Sequence, residues 1–524
     1  VAVLVAPLAP LPGFAQDVRS ILADSIAQLE RGDTVGPGGA RLGAVEFLPA
    51  LYELREFEPV WNNPGDVAAL QAGIEKAVLQ GFRPRDFHQP ILGDLLKAAQ
   101  SGDPDAEAAF DIVASDAAAR LIHHMVRGKV DAASLDPTWN FGQPMIDAMP
   151  AAEAVDEFVD GEGFAAALDL IFPTAPQYLN MVDALARYRK IAADGGWPLI
   201  GDGETLKPDM VDPRIATLRE RLAAEGAPTT PQPGQAGLTA DVDPAHVYDP
   251  ALAKAVMEFQ SRHGLEADGA IGPKTLVALN RTVEERIDQI RLSLERARWL
   301  LLGLDDDFVL VNIAGPMTYL RKDGKTVWST RSITGLPYRK TPVFRDEIEY
   351  IEINPTWTVP QSIFRKDKLP AIRRDRGYIE RGGYSVRRLS DGKTVSASAV
   401  NWSSDNPGVT LVQRPGPDNA LGLIKFMFPN AHAVYLHDTN DRTLFERNER
   451  NLSSGCIRLE QPFELANLLM AGDPDWSPAR LDEILASGQT TRIDLPDPMP
   501  VLLTYWTAWV EGEDVHFREA VSYT

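Results

Sequence analysis

Apolar residues along this chain recur at helical spacing over roughly the first three hundred positions. From Phe308 they recur at every second position. A 3.6-residue period buries one stripe of a helix and a period of two buries one face of a strand, so the two stretches build different layers. At 524 residues, against about 100–200 per domain, the expected fold class is multi-domain α + β with roughly three domains. The first two hundred residues read as helical and the C-terminal half as β-rich with few helices.

The N-terminal third has helix signals and nothing catalytic. Asp66 can cap a helix carrying Leu70, Ile74, Ala77 and Val78 on one face and ending at Gly81. A second helix is expected from Ser115, with Ala118, Leu121, Ile122 and Met125 as its stripe and Gly128 as its stop. His123 and His124 lack metal-ligand partners at useful spacing and read as ordinary helix residues. The text GAPTTPQPGQAG over Gly226–Gly237 is aperiodic and proline-rich, a linker or exposed loop.

After it comes a compact unit. Asp249 and Pro250 start a helix with Leu252, Val256 and Phe259 inward, closed by Gly264; Asp268-Gly269 turns the chain, and Pro273 begins a second helix through Leu276 and Leu279. Phe259, Gln260, Gly264, Leu265, Asp268, Gly269, Ile271, Gly272, Thr275 and Leu276 stand where the small three-helix peptidoglycan-binding module has its motif, which this stretch resembles. The resemblance marks Phe259, Gln260, Asp268 and Gly269 as its signature residues. Thr282 and Glu285 form a capping box for a long helix whose apolar positions Val283, Ile287, Ile290, Leu294, Ala297 and Leu301 form one stripe. Such a stripe should pack along a neighbouring domain. Beyond it, strands are expected at FVLVNIA from Phe308, in a hairpin from Tyr319 to Ser329 turning at Asp323-Gly324, and at Glu349–Ile353, Ala433–Leu436 and Val501–Val510. The last should pair with Val515–Arg518.

The formal charge is −22 with 44% hydrophobic residues. That balance repels phosphate backbones and excludes nucleic acid as a natural partner. Val1–Ala15 is apolar and ends in Gly13-Phe14-Ala15, which fits the remnant of a secretory signal. No other run approaches the ~18 apolar residues of a membrane span, so an exported, periplasmic chain without a span in its mature form is expected. Cys456 is the single cysteine. An intrachain disulfide and a multi-thiolate metal site are therefore excluded.

His437 ends the strand text AVYLH, and Cys456 follows nineteen positions later in SSGCIRL. A thiol attacks carbonyls as thiolate, so it needs a base within reach or a positive setting. His437 can supply the base and Arg458 the field. Gly455 lets the backbone approach, so nearby amides can face an oxyanion. A buried structural cysteine fits the same spacing equally well. His432 and His437 are five apart without a following glutamate, so they form no zincin motif, and Asp305-Asp306-Asp307 lacks calcium-loop spacing. Trp506 and Trp509 could touch glycan, although on an alternating strand they read as core.

His437-Asp438-Thr439 with SSGCIRL resembles the signature of the L,D-transpeptidase catalytic domain. Gly335, Thr341-Pro342, NPTWTVP at Asn354–Pro360 and PGPDNALGLIKF at Pro415–Phe426 extend the likeness. With the helical scaffold, the binding module and YWTAWV at Tyr505–Val510, the whole chain is similar to the large multi-domain periplasmic L,D-transpeptidases. Two positions depart from the commonest signature: Asp438 where glycine is usual, and Ser454 where many members have a second histidine. The large members share the serine.

The resemblance implies a mechanism. Cys456 would be the nucleophile on the diaminopimelate–D-alanine bond of a tetrapeptide stem and His437 the general acid and base. Ser454, Gly455 and Arg458 would serve the oxyanion and substrate, and a second diaminopimelate amine would resolve the thioester into a 3-3 cross-link. It calls for no metal or other cofactor, and it implies acylation by carbapenems. Partners would be peptidoglycan stem peptides and glycan, with other cell-wall synthesis proteins as candidates. A carboxypeptidase or hydrolase on the same fold, and a non-enzymatic wall-binding scaffold, stay open at this point.

The expected division is a signal remnant at 1–15, a scaffold domain at 16–240, the binding module at 241–281, a connecting helix at 282–306 and the catalytic domain at 307–524. A capping insertion occupies about 361–412. Between Arg365 and Arg388 that insertion holds nine positive residues (Arg365, Lys366, Lys368, Arg373, Arg374, Arg376, Arg381, Arg387 and Arg388) against Asp367, Asp375 and Glu380. It reads either as a solvated helix face or as a lid that draws carboxylate-bearing peptides.

Overall fold

The structure, a computed structural model, describes residues 17–135, 139–141, 147–161, 163–230, 243–301, 304 and 306–519. The expected signal segment 1–15, Asp305 and linker positions 231–237 lie outside the described residues. The chain divides into two compact units: residues 1–131, 142–174 and 294–302 in one, and 132–141, 175–293 and 303–524 in the other.

The first unit is helical, and its longest helix, Pro104–Arg127, carries most of the packing. Val113, Ala114, Ala117, Leu121 and Met125 are fully buried on it. The helix begins eleven residues before the expected start at Ser115, because Ser115 is a buried mid-helix residue. Tyr52 Oη lies 3.0 Å from its hydroxyl, and Trp61 Nε1 donates to it at 3.0 Å. Asp111, one turn earlier, accepts from the amides of Val60 and Trp61 and from Tyr52 Oη. A polar stripe that looks like a start signal instead ties loops to the helix. Asp66 behaves the same way. The helix it was expected to cap runs Pro64–Leu79 with Asn63 as cap, and Asp66 is buried, accepting from Phe164 N at 2.7 Å. His124 packs against Phe82, and burial, with His123 beside it, pushes its pKa down to about 3.

The second unit begins with the binding module, whose core joins Ile215, Leu218 and Leu222 to Leu252, Val256, Phe259, Ile271 and Leu279. Its three helices are Arg214–Ala223, Pro250–Arg262 and Pro273–Leu279. The first precedes the linker, so a boundary at 241 leaves out a third of the core. A buried ion pair between Arg219 and Asp249 bridges the two sides of the linker. Asp249 also accepts from Leu252 N at 2.8 Å, capping its helix as expected. The Thr282–Glu285 capping box starts the helix Val283–Leu301. Within this unit, Gln289 Nε2 donates to the carbonyls of Thr507 and Arg518.

Among the described residues, fifteen strands follow in chain order. They are β1 Phe308–Asn312, β2 Met317–Lys322, β3 Lys325–Gly335, β4 Phe344–Ile353, β5 Trp357–Thr358, β6 Tyr384–Arg388, β7 Thr394–Val395 and β8 Val409–Gln413. Then come β9 Ile424–Met427, β10 Leu436–His437, β11 Asn451–Ser453, β12 Ile457–Leu459, β13 Thr491–Thr504, β14 Ala508–Glu511 and β15 Asp514–Phe517. The main sheet runs β11-β3-β12-β10-β9-β4-β13-β1-β2, and β2 also pairs with β3, so eight strands close on themselves. Alternation sends Val309, Val311, Leu320, Ile351, Phe426, Leu436, Ile457 and Leu503 into one core.

The hairpin at Asp323-Gly324 forms as expected. Two strand readings are corrected. Val501–Val510 is not one strand: the chain leaves β13 after Thr504, where Asn312 Oδ1 takes the Trp506 amide, and β14 pairs with β15. Ala433–Leu436 shortens to Leu436–His437, because the Asn430 carboxamide holds residues 428–434 in a turn and Ala433 has φ 54°.

The insertion is a small subdomain. Sheet β5-β8-β6-β7 and short helices from Gln361 to Arg381 enclose Phe364, Leu369, Ile372, Val386, Trp402 and Leu411. Arg373 belongs to this architecture. Its guanidinium donates to the carbonyls of Trp402, Ser403 and Ser404 and to Asp405. Arg376 lies over the Trp402 ring, Arg381 pairs with Asp375, and Lys368 donates to Tyr378 Oη.

Arg219→Met should leave Asp249 buried and unpaired, at a cost of about 3–5 kcal/mol to the module. Native-state hydrogen exchange should then speed up at least a hundredfold at Leu252, Val256 and Phe259, with the amides of β1 and β13 unchanged.

Candidate active site

Parallel pairing of β10 with β12 sets Leu436 opposite Ile457 and His437 opposite Arg458. Ile457 N donates to Tyr435 O at 3.1 Å, which carries the register back to the level of Cys456. Since strand side chains alternate, Tyr435, His437, Cys456 and Arg458 share one face. Lys425, opposite His437 on β9, joins them. The Tyr435 and His437 rings are 5.5 Å apart, and Lys425 Nζ sits 4.2 Å from the Tyr435 ring centre.

The turn that carries the thiol is tied down on several sides. Gly455 has φ 120°, and a Cβ there would stand 3.3 Å from Lys340 O. Its carbonyl accepts from Thr341 Oγ1 at 2.8 Å, and the same hydroxyl oxygen accepts from Gly335 N at 2.9 Å. A Cβ on Gly335 would meet the Arg339 carbonyl at 2.2 Å, so only glycine fits there. The Gly455 amide donates to Ser453 Oγ, whose hydroxyl in turn donates to Cys456 O. Gly455 therefore supplies conformation, and its N–H is already engaged. Ser454 is exposed, its Oγ accepting from Arg339 Nη1 at 2.9 Å, and Arg339 also pairs with Asp367 of the insertion.

Electrostatics at this face are dominated by burial. The Cys456 thiol is held above its ordinary range by desolvation, which the Tyr435 hydrogen bonds and the charges of Lys425 and Arg458 only partly offset. Its Sγ lies 3.8 Å from Ala433 O. Burial first, then Arg458, pushes His437 down to about 3, against the pull of the Asp438 and Leu421 carbonyls. His437 Nδ1 donates to Asp438 O at 2.5 Å, so Nε2 carries the lone pair. Both shifts favour the uncharged forms, thiol and imidazole. Arg458 is depressed by burial, and its buried Nε has no partner among the described residues. Asp438 accepts from Leu423 N and pairs with Arg442. A Cβ on Gly422 would collide with it, so the carboxylate fills its position.

Cys456, His437, Ser454, Gly455 and Arg458 thus come together. Tyr435 and Lys425 join them without having been singled out, although they stand two residues before His437 and in a quoted motif. The four signature residues of the binding module lie together in its fold. Phe259 and Gln260 are buried. Phe259 stacks on His263, while Gln260 donates to Asp268 and Ala270 O and accepts from Gly269 N. They build the module's core and turn. No group of three or more histidine, cysteine or acidic residues placed to hold a metal occurs among the described residues, and no helix there is long and apolar enough to cross a membrane.

Residues 306–476 match the L,D-transpeptidase catalytic domain family, residues 46–185 the scaffold domain, and residues 212–279 the family described as "Putative peptidoglycan binding domain". The chain is 36% identical over 208 residues to a Haemophilus influenzae protein named "Putative L,D-transpeptidase", a stretch covering 40% of this chain and 42% of that protein. An L,D-transpeptidase structure from Xylanimonas cellulosilytica aligns over 58% of this chain and 99% of its own at 15% identity and TM-score 0.19. The Ldtfm–avibactam carbamoyl enzyme aligns over 62% and 98% at 11% and 0.17. At such TM-scores the likeness carries no geometric weight. The chain carries an L,D-transpeptidase catalytic domain together with scaffold and peptidoglycan-binding domains.

Alkylation of Cys456 by iodoacetamide should rise with pH toward a midpoint above 9, the ordinary thiol value, with no step near 6.5. Arg458→Met should move the midpoint further up. A plateau below pH 7 would reveal a preformed thiolate–imidazolium pair.

Proposed function

We propose that this protein cleaves the diaminopimelate–D-alanine bond of a peptidoglycan tetrapeptide stem and transfers the acyl group to a second diaminopimelate amine, forming 3-3 cross-links in the periplasm. One observation carries the reading: the register of β10 and β12 gathers the only thiol, a neutral imidazole and a guanidinium with an unpartnered buried Nε on one face. Cys456 Sγ attacks the carbonyl carbon while its proton passes to His437 Nε2, the nitrogen that the Asp438 carbonyl leaves free. The amides of Ser454 and Cys456, which are outside the turn's own hydrogen bonds, stabilise the oxyanion at roughly 3–4 kcal/mol per donor. Collapse breaks the C–N bond, and D-alanine leaves with the proton from His437. The acceptor amine then attacks the thioester, restores the thiol and completes the peptide bond.

The low proton affinity of the resting imidazole has a functional reading. Arg458 is the largest charged cause of that depression. A stem carboxylate bound to its free Nε offsets the cation and raises His437 toward a useful base strength. Base strength then arrives with substrate, and the empty site is spared side reactions.

Incubation with a disaccharide tetrapeptide should give D-alanine and a cross-linked dimer by mass, and Cys456→Ala should give neither. Tripeptide as the sole product would establish a hydrolase. In the insertion, Arg373 and Arg376 are structural, so substrate capture falls to Arg365, Lys366, Arg374 and Arg387. These four are exposed and make no ion pair among the described residues. Changing Arg365, Lys366 and Arg374 to glutamine should raise KM severalfold, flatten its salt dependence and leave kcat nearly unchanged. Arg373→Gln should lower the melting temperature instead.

A further inference from the structure

The outer face of β1 and β2 carries a cavity with several polar groups in its lining. Along β1, Phe308, Leu310 and Asn312 alternate with the core residues Val309 and Val311. Across the ladder, Arg321 stands opposite Phe308 and Tyr319 opposite Leu310. Over this face lies a cavity of about 360 Å³, closed by residues 176–181 and by 506–512. None of its lining residues belongs to the thiol site.

Four buried polar atoms from its lining have no hydrogen-bond partner among the described residues: Asn312 Nδ2, Arg321 Nε, Trp506 Nε1 and Gln177 Oε1. Asn312 is 1% exposed and Trp506 5%. Neither Asn312 nor Arg321 can turn away to find a partner. Asn312 Oδ1 accepts from the amides of Ala314 and Trp506, and the Arg321 Nη atoms donate to Thr326 Oγ1 and Gly324 O. Folded proteins rarely leave such groups unpaired, and four around one cavity point to an occupant. Glu511, the acid in the lining, is already engaged by Tyr319 Oη and Trp509 Nε1.

We propose that this cavity is a saccharide site that takes one N-acetylhexosamine ring of a glycan strand. Three unpaired donors meet ring oxygens or the acetamido carbonyl, and Gln177 Oε1 accepts from a hydroxyl. The C–H faces lie against the walls of Tyr319, Trp506 and Trp509. The volume is at the small end of ligand sites and suits one sugar ring. The saccharide class rests on the cavity, and the choice of an N-acetylated amino sugar rests on the peptidoglycan reading above. A glycan strand held here would anchor the catalytic domain on the wall independently of the stem peptide.

The test uses the full chain labelled with 5-fluorotryptophan, with the Trp506 and Trp509 signals assigned through Trp506→Phe and Trp509→Phe. N-acetylglucosamine should shift both signals saturably. Trp506→Phe and Arg321→Met should each weaken binding about tenfold, read on the Trp509 signal, with the other fluorine signals reporting an intact fold. No shift at the solubility limit of the sugar, or an equal shift with glycerol, would overturn the site and leave it a water cavity. Transpeptidation of a glycan-free tetrapeptide separates the two claims. Transfer without a shift removes only the cavity proposal, and a shift without transfer removes only the transferase reading.

Discussion

Parallel pairing between β10 and β12 is the constraint on which the site depends. Two rungs, Leu436 to Ile457 and His437 to Arg458, fix which side chains meet. A slip of one residue would send Cys456 into the space of Leu436 and Ile457, both fully buried in the core. The pairing is enforced from both sides. β9 holds β10 through Lys425 and Phe426, and β3 holds β12 through Ile333 and Ser332. The closed sheet acts as a clamp on these two short strands. The thiol turn is pinned in the same way by the Thr341 hydroxyl between Gly335 and Gly455.

Burial and charge oppose each other at this face. A chain of net charge −22 assembles Lys425 and Arg458 around its one thiol, yet desolvation outweighs the field that these cations supply. The thiol is held up and the imidazole down, and both shifts favour the uncharged forms. The connection from Ser454 through Arg339 to Asp367 joins the thiol turn to the insertion, so one ion pair links that subdomain to the turn.

Much of this was legible in the sequence, because local signals suffice where the determinants are local. The Asp249 cap, the Thr282–Glu285 capping box and the Asp323-Gly324 hairpin all form as their chemistry dictates. Local signals failed where distant groups claimed a residue. Ser115 and Asp66 resemble helix starts, but Trp61 and Phe164 occupy them. Arg373 and Arg374 look alike in the sequence, yet three backbone carbonyls make the first a structural brace.

By itself, the sequence determined the order of layers, the presence of a thiol–histidine–arginine set and the module's helical core, because period, capping and spacing act within a few residues. Tertiary structure alone decided that Tyr435 and Lys425 share the face of the thiol and that the Gly455 amide is spent on its own turn. It also decided that β13 ends at Thr504, so that Trp506 and Trp509 line a cavity. Each of these depends on hydrogen bonds or strand register between segments far apart in the chain, and no local pattern records which partner a residue will meet.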